Sequence, residues 1–321
     1  MKAIEVKEFG APDVLQLVDL EAPCPGAGEI LIKVEAIGIN PVETYIRAGT
    51  YPSLPALPYI PGGNVAGIID SCGPGVNNWK PGDRVYTCAT VSGGYCEKCL
   101  CTVQQIFLLP ECISFAQGAA LGVPAATAWR ALFIRGAAKG TEERVFVHGA
   151  SGSVGQAAVQ LAAGAGMRVF GTAGTDEGIE IACRLGAELV VNHRFPGYDN
   201  ELLEAVGGEG FTLILEMLAD KNLEMDLNLL APKGRVIIIG SRGRIEIDPR
   251  ATMGKETDIR GLALFNATAE EVVQTHNGLK RAMESGIFVP SVSRKLPLAD
   301  AALAHDLVMQ DGNCGKIVLI P

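Results

Sequence analysis

Arg144-Val145-Phe146-Val147-His148-Gly149-Ala150-Ser151-Gly152-Ser153-Val154-Gly155 is the stretch that decides the fold. Val145 to His148 is mostly apolar, β-favouring sequence that runs straight into a glycine-punctuated turn. A helix-like segment rich in small residues follows, from Val154 to about Gly166. Strand, tight turn and helix in that order open a dinucleotide-binding unit. Gly149 permits the turn, Gly152 lets the backbone approach a pyrophosphate with no Cβ in the way, and Gly155 lets the helix pack close to the strand. The helix N-terminus, over Ser151, Gly152, Ser153 and Val154, offers unpaired N–H groups to the phosphates. The spacing is Gly-x-x-Gly-x-x-Gly, one residue off the commoner Gly-x-Gly-x-x-Gly. The same residues also read as a tight βα turn without a ligand. A hydrolase nucleophile elbow centred on Ser151 fails by one residue, because Ser153 stands where its last glycine belongs.

Working outward, the 321 residues suffice for two domains, each with its own core. A hydrophobic content of 48% with 20% charged residues describes an ordinary globular protein, and the net charge of −9 argues against a large basic nucleic-acid footprint. Met1 to Gly10 carries Lys2, Glu5, Lys7 and Glu8, unlike a secretory signal. No apolar run approaches the ~18 residues of a membrane helix. Nine cysteines without a disulfide-framework spacing read as reduced thiols, so a cytoplasmic location is expected.

The first third is β-rich and turn-rich, with strands expected at Met1–Val6, Glu29–Ile37, Val65–Asp70 and Arg84–Thr87, and prolines at 52, 55, 58 and 61 breaking regular structure between them. Short strands with Gly/Pro turns suggest a partly open antiparallel barrel. From Gly118 the composition turns helical, then strands alternate with helices. The expected strands are Val145–His148, Arg168–Thr172, Leu189–Val191, Thr212–Leu215, Arg235–Ile239 and Ile259–Leu264. Apolar strands without in/out alternation fit a parallel sheet covered on both faces, and six of them complete a doubly wound α/β (Rossmann) fold. The tail after Leu264, with helices at Ala269–Glu284 and near Ala299–Met309 and a strand at Lys316–Ile320, is too short to stand alone and is expected to return to the first domain. The expected division is 1–122 with 265–321, and 123–264.

Several long strings identify a family. Gly38-Ile39-Asn40-Pro41-Val42-Glu43-Thr44-Tyr45, Pro61-Gly62-Gly63-Asn64-Val65-Ala66-Gly67, Gly82-Asp83-Arg84-Val85, Ser92-Gly93-Gly94-Tyr95, Gly171 to Thr175, Asn192-His193-Arg194 and Ile239-Gly240-Ser241-Arg242-Gly243 resemble the medium-chain dehydrogenase/reductase superfamily. Within it the match is to zeta-crystallin-like NADPH:quinone oxidoreductases, over essentially the whole chain. The resemblance implies a GroES-like barrel domain beside the Rossmann domain, an interdomain cleft, NADPH as cofactor, a small-molecule quinone as substrate and a homo-oligomer, with the sixth-strand region as its interface.

Zinc-dependent members of the superfamily hold catalytic zinc through a cysteine and a Gly-His-Glu string. Here those places are Asn40 and Gly62-Gly63-Asn64, which supply neither thiolate nor imidazole, so no catalytic metal is expected. Cys96, Cys99, Cys101 and Cys112 resemble the superfamily's structural zinc lobe, but their x₂, x₁, x₁₀ spacing and the missing glycine-rich insertion favour buried thiols. Cys99 and Cys101 would share one strand face, with Cys96 on the other if the strand is regular.

The second strand ends Gly171-Thr172-Ala173-Gly174-Thr175 with no carboxylate, and Asp176 and Glu177 fall where the next helix's first turn favours acids. A 2′-phosphate would not be repelled there, which favours NADPH. The resemblance further implies cofactor contacts from Tyr45, Gly174, His193, Asn222, Ile239, Gly240, Ser241, Arg242 and, at the end of the sixth strand beside the nicotinamide, Leu262, Ala263 and Leu264. A quinone accepts electrons readily and its reduced oxygens take protons from water, so the protein needs only to place the acceptor and donate hydrogen bonds to it. Tyr45 and Asn40 are the candidates for that work. Trp129 and Thr127, on the helix entering the cofactor domain, are either cleft-lining or core. Family relatives lean toward quinones, some by one-electron steps through a semiquinone, which the sequence does not separate from hydride transfer. Two rival readings stay open: an NADPH-dependent double-bond reductase of α,β-unsaturated carbonyls, and a recruited structural crystallin or AU-rich RNA binder that retains NADPH. The acidic balance disfavours RNA.

Overall fold

The computed structural model describes residues Met1 to Pro321. In chain order it begins with β1 (Lys2–Glu5), β2 (Gln16–Asp19), β3 (Glu29–Gly38), α1 (Pro41–Arg47), β4 (Asn64–Cys72), β5 (Arg84–Thr87), β6 (Lys98–Thr102), β7 (Ile106–Leu108) and α2 (Phe115–Ala119). Helix α3 (Gly122–Trp129) continues in a wider π-turn over Arg130–Arg135. Then come β8 (Arg144–Val147), α4 (Ser153–Gly164), β9 (Arg168–Ala173), α5 (Asp176–Arg184), β10 (Leu189–Asn192), α6 (Tyr198–Ala205), β11 (Phe211–Glu216), α7 (Ala219–Leu229), β12 (Leu230–Ile238), α8 (Arg250–Met253) and β13 (Asp258–Gly261). Helix α9 (Ala269–Glu284), β14 (Val292–Pro297), α10 (Ala301–Val308) and β15 (Lys316–Ile320) complete the chain. Two compact units result: Met1–Val123 with Val289–Pro321, and Pro124–Phe288.

In the second unit six strands lie in the order β10-β9-β8-β11-β12-β13, all paired in parallel. That is the doubly wound order with its reversal at β8. The apolar strands carry no alternation because helices cover both faces: Val145, Phe146 and Val147 are all fully buried. Phe146, Phe170 and Phe211 stack in one core cluster, with ring centroids 5.1 and 5.5 Å apart. Parallel pairing puts every strand's carboxyl end at one edge, so the loops that follow the strands gather there.

Two expectations need correction in this unit. The sixth strand stops at Gly261, not Leu264, because Arg130 takes the carbonyls of Ala263 and Leu264 at 2.9 and 3.3 Å and a 3₁₀ turn starts at Leu264. Leu262, Ala263 and Leu264 therefore form the loop beyond the strand. The tail also returns later than 265, since the chain rejoins the first unit at Val289. Helix α9 stays with the parallel sheet because Arg130 pairs with Glu271 at 2.7 Å and Trp129 lies flat on Gly278. Trp129 and the buried Thr127 are thus core or near-core residues, the indole packing against Phe133 with ring centroids 4.5 Å apart and planes tilted by 50°.

The first unit is built on β3, whose ten residues pair with β4 along one edge. Along the other edge they pair first with β6 (Glu29–Lys33) and then, at Ile37 and Gly38, with the C-terminal β15. The sheet runs β14-β15-β3-β4-β5-β7, antiparallel except for β14 with β15, around a core that includes Ile30, Ile32, Ile37, Val65 and Tyr95. Cys99 and Cys101 share the buried face of β6. Cys96 is buried with them rather than opposed: the chain is not yet a regular strand there, since Cys96 makes an isolated bridge to Ala3 and its Sγ donates to the carbonyl of Lys98 at 3.1 Å. Cys112 is exposed.

A Cβ on Gly278 would lie 2.0 Å from the Trp129 ring. Gly278→Ala gains at most about 1 kcal/mol of helix propensity against an overpacking cost of about 1–3 kcal/mol. The expected outcome is a net loss of stability, read as a lower denaturant midpoint with unchanged m.

Candidate active site

The turn after β8 is held from two sides. Gly149 adopts φ +60° and donates its N–H to Thr172 Oγ1 at 3.2 Å, and Ala150 N donates to the Thr172 carbonyl at 2.8 Å. A Cβ at Gly155 would sit 2.2 Å from the Gly149 carbonyl oxygen, so no other residue lets α4 start this close to β8. Gly152 is the N-cap and provides no side-chain acceptor for the first turn. A Cβ there would meet only the Gly149 oxygen, at 3.4 Å, so its absence clears the outer side of the loop. Ser151, Gly152, Ser153 and Val154 are all half-buried. This turn has the donors and the open approach that a pyrophosphate requires.

The neighbouring strand ends converge on the same edge. Beyond β9, a Cβ on Gly174 would lie 3.2 Å from His193 Nε2 and 3.4 Å from Arg194 Nε, so the loop after β10 lays two nitrogen-bearing side chains against Gly174. Thr175 caps α5 by accepting from Gly178 N at 3.1 Å, while Asp176 and Glu177 point outward. Beyond β12, Ile239 N donates to the Glu216 carbonyl at 2.8 Å, and the exposed Ser241 and Arg242 fold over Asp220, whose Oδ1 accepts from Arg242 N at 2.7 Å.

Asn222 is placed differently from a free cofactor contact. Its Nδ2 donates to Glu216 Oε1 at 3.2 Å and lies 3.5 Å from His148 Nδ1. This is the rim of a buried cluster in which His148 Nε2 meets Asp226 Oδ1 at 2.7 Å and Glu216 Oε2 at 3.0 Å. Burial pushes the Glu216 and Asp226 carboxyls up to about 7, with His148 opposing the rise at Glu216, and burial lowers His148 against the pull of Glu216. The three side chains carry metal-ligating atoms within 4.8 Å of one another, and His148 and Asp226 share a direct hydrogen bond at 2.7 Å. Chemically this is a proton-sharing group under the cofactor turn. Sequence reasoning missed Glu216 and Asp226: the first ends an apolar strand, and the second reads as the wet face of an amphipathic helix.

In the first unit Asn40 caps α1 and is buried. Its backbone N donates to Glu43 Oε2 at 2.9 Å, its Nδ2 to Glu43 Oε1 at 3.1 Å, and its Oδ1 accepts from Lys316 Nζ at 2.5 Å. Glu43 also accepts from Tyr95 Oη at 2.6 Å, and that hydroxyl lies 3.0 Å from His305 Nε2. Burial drives the Tyr95 phenol well above its usual range and lowers His305 to about 3. Tyr45 lies further along α1, half-buried. A Cβ on Gly62 would strike the Tyr95 ring at 2.3 Å, and Asn64 accepts from Val123 N at 3.2 Å. Gly62 is thus engaged in packing, and Asn40 and Asn64 in amide hydrogen bonds. Lys316, Glu43, Tyr95 and His305 escaped the sequence reading because they come from four separate segments.

Residues 26–129 match the family model "Alcohol dehydrogenase GroES-like domain" and residues 153–277 match "Zinc-binding dehydrogenase". A quinone oxidoreductase of Rattus norvegicus is 49% identical over 322 residues, covering 100% of this chain and 98% of the relative. Among solved structures, Escherichia coli quinone oxidoreductase complexed with NADPH superposes with TM-score 0.90 at 31% identity, with 100% of both chains covered. An NAD-dependent alcohol dehydrogenase superposes as well, with TM-score 0.92 at 26% identity and 100% of both chains covered. The fold is therefore shared by users of both nicotinamides, and local residues must separate them.

The buried carboxyls carry a pH signature. Their folded pKa values near 7 lie above the ordinary 4.5 and 3.8. The stability they contribute is complete below about pH 4 and falls as pH rises to about 7. His148, lowered by burial, acts in the opposite direction below its ordinary 6.5 and offsets part of this. In Asp226→Asn, which keeps the shape and a carbonyl for His148, the decline between about pH 4 and about pH 7 should flatten in denaturant titrations. His148→Ala should cost about 1–3 kcal/mol by stranding both carboxyls.

Proposed function

The chain belongs to the zeta-crystallin-like quinone oxidoreductases of the medium-chain dehydrogenase/reductase superfamily, and on that premise we propose that it oxidises NADPH and reduces quinones without a metal. The observation that carries the cofactor choice is the end of β9: Gly174 is flanked by His193 and Arg194, with no carboxylate to repel a 2′-phosphate. NADPH supplies the reducing electrons when bound; the chain's own residues bind and orient. The N–H groups of the first turn of α4, over Ser151, Gly152, Ser153 and Val154, hold the pyrophosphate. His193 meets the adenosine, and Arg194 is the basic group for the 2′-phosphate, its planar fork suited to that anion. Ile239 to Arg242 and Leu262 to Leu264 line the path toward the nicotinamide. Asn222 contributes through whatever its ties to His148 and Glu216 leave free.

Tyr45 and Asn40 orient the acceptor and donate hydrogen bonds to an oxygen that gains charge. A quinone's conjugated carbonyls need no Lewis acid for this, and the reduced oxygens take protons from water. An α,β-unsaturated carbonyl could use the same donors, and product analysis with an enone separates the two activities. Nine cysteines, none of them in a disulfide, suit a reducing compartment. For self-association, β13 is the outer edge of the parallel sheet, with Ile259 and Phe265 39% and 69% exposed, a suitable face for a second copy.

The test follows NADPH oxidation with an ortho-quinone in the presence of a metal chelator. Turnover undiminished by chelator is expected, with NADH at least about tenfold poorer. Loss of activity on chelation sinks the metal-free reading, and preference for NADH sinks the reading of Gly174. Arg194→Ala should raise KM for NADPH by about 10–100-fold, the worth of one charge-assisted hydrogen bond, while leaving KM for NADH unchanged.

A further inference from the structure

The last strand delivers a buried cation to the substrate half of the chain. β15 runs antiparallel to β3 with Val318 opposite Gly38, and Ile39 N donates to the Ile317 carbonyl at 3.0 Å. This register carries Lys316 to the turn between β3 and α1. Gly38 makes room for it, since a Cβ there would lie 3.0 Å from Lys316 Cε. The lysine is 2% exposed, and its Nζ donates to Asn40 Oδ1.

On the opposite side Glu43 accepts from Asn40 Nδ2. An ammonium only donates and a carboxylate only accepts, so the amide of Asn40 has a single permitted orientation, oxygen toward Lys316 and nitrogen toward Glu43. The flipped amide would set donor against donor and acceptor against acceptor. One of the two Nδ2 hydrogens is used by Glu43. The other reaches only the Gly38 carbonyl, at 3.5 Å, the outer limit of a hydrogen bond. That second N–H is the one an acceptor oxygen can take at little cost.

We propose that Lys316 is a positioning residue for the reaction: its buried ammonium, opposed by Glu43, sets the orientation of the Asn40 amide and keeps a positive charge beside the group that meets the acceptor oxygen. This rests on the reading of Asn40 as a hydrogen-bond donor to the acceptor. The cation stands next to the residue that occupies the place of a zinc-ligating cysteine in metal-dependent relatives, so positive potential is retained there without a metal.

The charged group that acts on the cation is Glu43 of α1; beyond it, Tyr95 Oη donates to Glu43 and meets His305 of α10, and Arg47 and Tyr59 act on Tyr95. Burial lowers Lys316 to about 7 and Glu43 opposes that fall. Below that value the ammonium can only donate. Above it the neutral amine can also accept, so Glu43 alone holds the orientation of Asn40 and the positive charge beside the amide is gone.

The experiment measures kcat with an ortho-quinone from about pH 6 to about pH 8, NADPH affinity by tryptophan fluorescence, and thermal melts, for wild type, Lys316→Met, Lys316→Arg, Glu43→Gln and Asn40→Ala. Wild-type kcat should fall as pH rises through about 7. Lys316→Met should lower kcat about tenfold with NADPH affinity unchanged, and its remaining activity should lose that pH dependence. Lys316→Arg, which does not titrate, should recover part of kcat and hold it across the range. Glu43→Gln should move the break to lower pH, because the carboxylate no longer supports the ammonium. A wild-type pH profile in Lys316→Met or Lys316→Arg overturns the proposal, as does full kcat in Lys316→Met alongside a loss in Asn40→Ala. Full kcat in Asn40→Ala instead overturns the reading of Asn40 on which the proposal stands. If Lys316→Met does not fold, the profiles of Lys316→Arg and Glu43→Gln decide.

Discussion

The carbonyl oxygen of Gly149 and the α-carbon of Gly155 approach so closely that a Cβ would be driven to 2.2 Å. That contact fixes where α4 begins relative to β8, and the rest of the parallel sheet depends on it. With α4 seated there, β9 pairs on one side of β8 and β11 on the other, and the order reverses at β8. The reversal leaves the first turn of α4 at the sheet's carboxyl edge, its N–H groups uncapped by Gly152. One steric fact thus sets both where the helix starts and the edge of the sheet that its first-turn N–H groups face.

Beneath that turn the protein places polar groups where a hydrophobic core would serve stability equally well. His148, Glu216 and Asp226 share protons out of reach of solvent, and Asn222 and the loop after β12 rest on them. Such a cluster is costly if any member is removed, because the remaining charges have no water to turn to. Its bonds run between the ends of β8 and β11 and the middle of α7, so it holds in register the strand ends from which the cofactor loops depart. In the other unit a similar principle operates at Asn40. There a donor-only and an acceptor-only side chain determine the sense of an amide that packing alone would leave free to flip.

Much of this was legible from residue order. The glycines at 149 and 155 read correctly as a strand–turn–helix start because each answers a local steric need, a positive φ at the first and a close helix–strand approach at the second. The inner strands read as a parallel sheet because burial on both faces removes alternation, as Val145 to Val147 show, whereas β13 lies largely exposed at the edge. The errors have physical causes as well. Leu262 to Leu264 continue the β-favouring composition of β13, but the guanidinium of Arg130, far away in sequence, captures their carbonyls and ends the strand. Helix α9 has the amphipathic pattern of either unit, and Gly278 under Trp129 assigns it to the second. Cys96 was expected opposite Cys99 and Cys101, an inference that holds only for a regular strand, and the bridge to Ala3 interrupts it.

By itself, then, the order of residues determined the class of each domain, the glycine-punctuated strand–turn–helix start, the lack of thiolate and imidazole at positions 40 and 62–64, and the lack of a carboxylate after β9. These are properties of short stretches, whose chemistry depends on neighbours a few positions away. Only the tertiary structure decided which polar groups meet. Glu216 and Asp226 converge on His148 because β11 lies beside β8 and α7 packs back over β11. Lys316 reaches Asn40 across 276 positions of sequence because β15 adds to the edge of β3 in one register. Pairings of this kind are set by strand order and burial, so no reading of a local stretch can contain them.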